Sequence, residues 1–274
     1  MNAQDKARSE AAAAEIRRDV IRMTHAAGNQ GAHIGGSLSL VEIMAALYCS
    51  VMNLDPDAPL KEDRDRLILS KGHGAMALYS ALSFRGYLGR EELQNYKSND
   101  TLISAHPTRV PERGLEFASG SLGQGLSLGV GVCLALLRKG NLSSRVFVLQ
   151  GDGEIDEGAV WEAAASASHF GLSRLVTIID KNGLQYDGPT EDVLSMGDLA
   201  AKWRAFGWEA REVDGHDVAA LYEALMEAHQ QPLAVIAKTV KGKGVSFFEN
   251  DFRSHNARLS LQQYEQAMAE QEAG

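Results

Sequence analysis

The chain has 274 residues, 45% hydrophobic and 23% charged, enough for one large α/β domain with a sizeable core and ordinary for a water-soluble protein. Twenty-seven Lys and Arg against 36 Asp and Glu give a net charge of −9, which argues against a nucleic-acid-binding surface. No apolar run is long enough to span a bilayer and the N-terminus carries no signal-peptide core, so the expectation is a cytoplasmic protein with no membrane contact.

In chain order, residues 1–65 read as a helical segment that opens with the polar stretch MNAQDKARSEAAAAEIRRDV. β-branched runs at 66–70, 145–150, 175–180, 209–213 and 233–238 then read as strands. Helical patterns lie between them near 73–88, 121–139, 157–170, 196–206 and 217–229, and a polar helix closes the chain over 257–274. VFVL, LVTII and LAVIA are apolar on both faces, as strands covered on each side are. The alternation implies an α/β fold: a parallel sheet with right-handed crossovers and helices on both faces. With six Pro, no repeat and no low-complexity linker, 1–274 reads as a single domain. Cys49 and Cys133 sit in apolar helical sequence and read as buried thiols rather than a disulfide framework.

Two helical segments are unusual. GSLGQGLSLGVG (120–131) holds five glycines, each costing about 1 kcal/mol in a helix relative to Ala. GAVWEAAASAS (158–168) presents a nearly unbroken face of small residues. Both permit close approach by a ligand or another helix, and tight packing within the chain is the simpler account.

The strongest chemical signal is GDGEIDEG (151–158), directly after the strand RVFVLQ, followed by Asn182 at the end of the strand LVTIID. Asp152 and Asn182 thus stand at the carboxyl ends of neighbouring strands, where open α/β sheets bind ligands. A hard cation such as Mg²⁺, or Ca²⁺, takes oxygen ligands. Asp152 offers a carboxylate, Asn182 an amide oxygen, and Leu184 a main-chain carbonyl. Gly151 and Gly153 let the backbone approach a diphosphate, with the N-terminus of the following helix pointing toward it. G-D-G alone is also an ordinary strand-to-helix turn; the Asp–Asn pairing at this spacing is the specific part.

These residues resemble the thiamine-diphosphate enzymes, whose motif is G-D-G followed by Asn, with Lys181 here in place of the first residue of a frequent Asn-Asn pair. LSKGHGAMALY (69–79), SAHPT (104–108), ASGSLGQGLSLGVG (118–131), DGHD (214–217) and KTVKGKGVSFFEN (238–250) are similar, in order and spacing, to transketolase. The resemblance covers 15–256 and implies the diphosphate-binding subunit of a split, two-chain transketolase that moves a two-carbon ketol unit between sugar phosphates. It implies that His73 contacts the diphosphate and lines the substrate channel, that His106 meets the donor sugar, and that Gly120 and Leu122 meet the aminopyrimidine and thiazolium. Gly153 then binds diphosphate, Asp152, Asn182 and Leu184 hold the metal, and Glu157 lies at a subunit contact. His33, in QGAHIGGSLS where the family reads S-G-H-P-G-G-S, and His255, in FRSHNAR where split members more often read W-H-G-K, are implied to line the channel, His255 also touching cofactor.

Such chemistry needs donors and proton carriers with pKa near neutrality, which His provides, while the cofactor supplies the carbanion chemistry. His25, His169, His216 and His229 read as structural or surface residues. Lys238, Lys241 and Lys243 are placed to draw in anionic sugars, though a solvated basic loop is the simpler reading. The carboxylate that promotes the cofactor's imino tautomer belongs, in this family, to a pyrimidine-binding domain. The resemblance therefore implies that a C-terminal partner subunit is required, that two chains of each kind form a heterotetramer, and that this chain has no activity alone. The α-subunit of a 2-oxoacid dehydrogenase is the nearest rival, a non-catalytic paralogue the more distant one, and the sugar itself is left open.

Overall fold

In the computed structural model, which describes residues 1–273, five parallel strands pair in the order β1-β2-β3-β5-β4. They are β1 (Arg66–Leu69), β2 (Val146–Gly151), β3 (Leu175–Lys181), β4 (Glu209–Asp214) and β5 (Leu233–Lys238). Side chains along a strand alternate between faces. Accordingly Phe147, Leu149, Val176, Ile178 and Val235 enter one core, while Val146, Val148, Leu175, Ile179 and Ile236 enter a second. Both faces are buried along β2, β3 and β5, and that is why those strands are legible as apolar runs, whereas the edge strand β4 is only partly buried.

The helices are α1 (Ala3–Ala26), α2 (Ile34–Leu38), α3 (Val41–Ala46), α4 (Ala75–Phe84) and α5 (Gly125–Arg138), then α6 (Gly158–His169), α7 (Thr190–Leu194), α8 (Leu199–Ala205), α9 (Val218–Met226) and α10 (Leu261–Ala273). Asn2 caps α1 by accepting the Asp5 N–H at 2.8 Å. Ala12, Ile16, Val20 and Met23 form its buried stripe, at the three- and four-residue spacing of one helix face. Each buried aliphatic side chain there contributes about 1.5–3 kcal/mol. α1, α3, α4 and α9 cover the first core, and α5, α6 and α8 the second.

Several boundaries depart from the sequence reading, each for a local reason. The first segment is helical only to a π-helical turn at Leu47–Val51, and turns lead from there to β1. α4 follows a 3-10 turn at Gly72–Gly74 and ends before Gly86, whose φ is +87°. α5 starts at Gly125 rather than 121, because Gly123 holds φ +80° and gives its N–H to Glu154. α8 waits for its cap, the Asp198 carboxylate accepting from Ala201 N–H. α9 stops at Met226, where Arg211 donates to the Ala224 and Glu227 carbonyls. The short α7 has no counterpart among the expected helices. The closing helix begins at Leu261, since Ala257 instead forms an antiparallel bridge with Ala32; Gly274 lies outside the described residues.

The small-residue segments divide in two. A methyl group on Gly129 would lie 2.6 Å from Val148, so this glycine seats α5 on the sheet. Gly131 and Gly158 face open space. Cys133 is buried, but Cys49 is only half-buried, so the expectation of two buried thiols holds for one; both are free, and burial pushes each thiol up to about 11. Among the described residues no helix is long and apolar enough to cross a membrane.

Candidate active site

The parallel register sets the site's frame. Gly151 lies opposite Asp180, and Asp180 opposite Ala237, so the turns after β2, β3 and β5 leave the sheet at one level. The turn after β2 carries Asp152, which is buried; its Oδ1 accepts Gly153 N–H at 2.9 Å and its Oδ2 accepts Gly183 N–H at 2.6 Å. Burial, reinforced by the negative charge of Asp180, pushes the Asp152 carboxyl up to about 6. It has no salt-bridge partner among the described residues.

Asn182 is oriented by its neighbours. Its Nδ2 donates to Asp180 Oδ2 at 3.0 Å, which fixes the amide's direction, and its Oδ1 accepts Leu184 N–H at 3.1 Å. Burial alone would raise the Asp180 carboxyl, but Lys71 at 2.5 Å, Thr239 and Ser39 hold it below its ordinary value. Asp152, Asn182 and Leu184 line one cavity of about 290 Å³. Among the described residues no three His, Cys, Asp or Glu side chains cluster to hold a metal. An oxygen site here therefore draws on one carboxylate, one amide and one main-chain carbonyl, a donor set that suits a hard cation.

His33, His73, His106 and His255 meet in the lining of the same cavity. Ring centroids of His33 lie 5.9 Å from His73, 5.4 Å from His106 and 5.5 Å from His255, and His73 and His255 are 5.2 Å apart. The Ala32–Ala257 bridge, with both N–H···O bonds at 2.9 Å, brings His33 and His255 together from opposite ends of the sequence. Gly35 lets this happen, because a side chain there would overlap Ser254. Burial lowers His33 and His255 to about 4, helped by His106 and Lys241 respectively, and lowers His73 and His106 too. All four rings are thus neutral near pH 7, each offering one donor and one acceptor. Tyr186 stands at the rim, its ring edge-on to His255 at 5.2 Å.

The cationic groups at the cavity are lysines. The sequence places Lys241 in a solvated loop, and the structure corrects this: it is 2% exposed. Its Nζ donates to the Leu184 carbonyl at 2.9 Å, and burial, then Lys71, lowers it to about 8. Lys238, exposed beside Glu212, and Lys243, half-buried beside Glu249, fit the sequence reading better. The loop bearing Lys241 is pinned by His216, which accepts Val240 N–H at 2.8 Å while its other ring nitrogen meets Glu42 at 2.8 Å. Arg17 completes that knot through Glu42 and the Lys243 carbonyl.

The remaining acids of GDGEIDEG reach other loops. Glu154 accepts from Gly151 and Gly123, Asp156 accepts from Gln185 Nε2 at 2.8 Å, and Glu157 is exposed beside Gly123. Gly120 and Leu122 line the same cavity as Gly153.

The family model for the transketolase thiamine-diphosphate-binding domain matches residues 9–272. The chain belongs to the transketolase family. It is 41% identical to a 6-deoxy-6-sulfo-D-fructose transketolase subunit from Clostridium sp. (strain MSTE9), with 88% of each chain covered. It is 39% identical to an apulose-4-phosphate transketolase subunit from Phocaeicola vulgatus, covering 87% of this chain and 85% of that one. Human transketolase is 38% identical over 93% of this chain, which spans only 40% of the human protein. Among solved structures, transketolase from Leishmania mexicana superposes with a TM-score of 0.89 at 28% identity, over 96% of this chain and 41% of that one.

The transketolase thiamine-diphosphate domain therefore accounts for nearly the whole chain. The structure brings every sequence-predicted site residue except the exposed Glu157 to one cavity. Sequence reasoning missed Lys71 and set the functional reading of Lys241 second, although both stand inside the quoted segments LSKGHG and KTVKGKG. A lysine next to glycine reads as solvent-facing, and only the tertiary fold shows otherwise.

Proposed function

We propose that this chain is the cofactor-binding subunit of a two-chain transketolase that transfers a two-carbon ketol unit from a ketose phosphate to an aldose phosphate. The observation that carries the reading is one cavity lined by four neutral histidines and by a buried Asp152 that has no salt-bridge partner among the described residues. Asp152, Asn182 and the Leu184 carbonyl would hold Mg²⁺ or Ca²⁺, because a cation relieves the buried carboxylate and matches three oxygen donors. The Gly153 N–H, His73 and Lys241 would bind the diphosphate, with Gly120 and Leu122 toward the ring end. Thiamine diphosphate, when bound, supplies the carbanion chemistry that sugars lack.

The chain's own residues then do three things. His106 and His33 orient donor hydroxyl and carbonyl groups by hydrogen bonds. His255 and His73, neutral at working pH, accept a proton at one ring nitrogen and return it from the same atom. The buried walls exclude bulk water. The α5–α6 surface, with Gly131 and Gly158 open and Glu157 exposed, is the face offered to a C-terminal partner chain, and the assembly holds two chains of each kind. Relatives named for sulfofructose and apulose-4-phosphate support a second reading for the sugar, one outside the ordinary pentose phosphates.

The test is reconstitution. The purified chain with thiamine diphosphate and Mg²⁺ should show no ketol transfer, and adding a chain that carries the pyrimidine-binding domain should restore it. Full activity from the single chain would overturn the two-chain reading, and CO₂ release from simple 2-oxoacids would overturn the transketolase reading.

A further inference from the structure

Glu154 follows the turn proposed for the diphosphate and lines the same cavity, yet it belongs to neither the proposed metal ligands nor the histidine group. It is 2% exposed and has no arginine or lysine partner among the described residues. Three neutral donors converge on its carboxylate: Oε1 accepts Gly123 N–H at 2.9 Å and the Ser70 hydroxyl, while Oε2 accepts Gly151 N–H at 3.0 Å. Ser70 Oγ in turn accepts Gly125 N–H at 3.0 Å. The three donors favour the carboxylate form, but burial outweighs them and raises the Glu154 carboxyl above its ordinary value. An anion is a costly filler for a buried site. What it provides is geometry, since one rigid group reaches the ends of β1 and β2 and the loop entering α5.

The two ends of that reach matter. Gly151 directly precedes Asp152, and Gly123 directly follows Leu122. Slack on the loop side is small: Gly123 holds φ +80°, and a methyl group on Gly125 would overlap Ser70. We propose that Glu154, working with Ser70, is a positioning residue that clamps the 119–125 loop to the diphosphate turn and so fixes the distance between the ring end and the phosphate end of the cofactor site. This rests on the assignment of the cavity to thiamine diphosphate. The clamp itself is a property of the chain without ligand.

The experiment uses the full chain as wild type, S70A and E154A, with two measurements. Hydrogen exchange without ligand follows the 119–125 amides, with β2 as internal control. Titration calorimetry in Mg²⁺ then compares thiamine diphosphate with inorganic diphosphate. S70A removes the hydroxyl on the loop side only, so loop exchange should quicken and thiamine diphosphate should bind at least about tenfold more weakly, while inorganic diphosphate changes by less than about threefold. E154A should quicken loop exchange further and weaken both ligands, because Gly151 is released too. Unchanged loop exchange in both variants would overturn the clamp, whatever the ligand data. If the variants bind thiamine diphosphate as wild type does, the positioning role is also lost. Wild-type chain that binds neither ligand, even with a partner present, would overturn the cofactor assignment while the exchange data still decide on the clamp. Should E154A fail to fold, S70A carries the test.

Discussion

Lys241 Nζ donates to the main-chain carbonyl of Leu184 across 2.9 Å, so the oxygen proposed for a metal is held by an ammonium group. The lysine satisfies the carbonyl and leaves a positive charge in the cavity. Loading the site asks it to turn from the carbonyl toward phosphate. K241M should lower the affinity for thiamine diphosphate with Mg²⁺ by about tenfold to a hundredfold, the range of one charge-assisted hydrogen bond. Calorimetry checks this, and an unchanged dissociation constant would remove Lys241 from the binding role.

The histidine wall predicts a pH dependence. His33 and His255 lie at about 4 in the folded chain against an ordinary 6.5. On acidification the unfolded chain takes up these protons first, so stability is lost as pH falls from 6.5 toward 4. Melting temperatures between pH 7.5 and 4.5 should show that fall, and H33N/H255N should flatten it. In NMR titrations both rings should remain neutral at pH 5.5, and a midpoint near 6.5 for either would refute the burial argument.

Asp152 invites a variant that separates binding from folding. In D152N the buried charge disappears, which favours the ligand-free fold, while one of the two N–H groups it serves loses its acceptor. These effects oppose, so the melting temperature without ligand should stay within about 5 °C of the parent. Mg²⁺-dependent stabilisation by thiamine diphosphate, read as a thermal shift, should vanish. A variant that still responds to the metal would show that the carboxylate is not a ligand.

His216 supports the Lys241 loop without touching the cavity. H216A leaves Val240 N–H unpaired in a half-buried setting, costing about 1–3 kcal/mol, or about 2–8 °C in melting temperature. Diphosphate affinity should weaken with it. H229A is the control: that half-buried ring makes only a solvent-exposed contact with the Gln231 carbonyl, and its loss should shift melting by less than about 1 °C.

What the sequence disclosed follows from physical range. The strands were legible to within a residue at either end, and for β2, β3 and β5 the reason is that burial on both faces writes itself into consecutive apolar positions, as in Val146–Leu149. The helix starts were less legible. Gly123 in a left-handed conformation, and not the apolar period of 121–139, decides where α5 begins. Asp152 and Asn182 were legible because strand ends adjacent in order are adjacent in space. The burial of Lys241 and the role of Glu154 were not: each gains partners from segments far off in the chain, Leu184 for one and Ser70 and Gly123 for the other. The Ala32–Ala257 bridge that joins His33 to His255 has no local signature at all.

The in-register pairing of β2, β3 and β5 also bears on how such a chain can diversify. Adding one residue inside β3 would send every later side chain of that strand to the opposite face and carry Asn182 away from Asp152. Changes of that kind are closed to the lineage. The rim is open: Tyr186, 68% exposed beside His255, can vary in size or polarity while the sheet holds the oxygens and lysines in place. Variation at the mouth leaves the sheet's register untouched, so libraries confined to the exposed rim are the economical place to search for altered specificity.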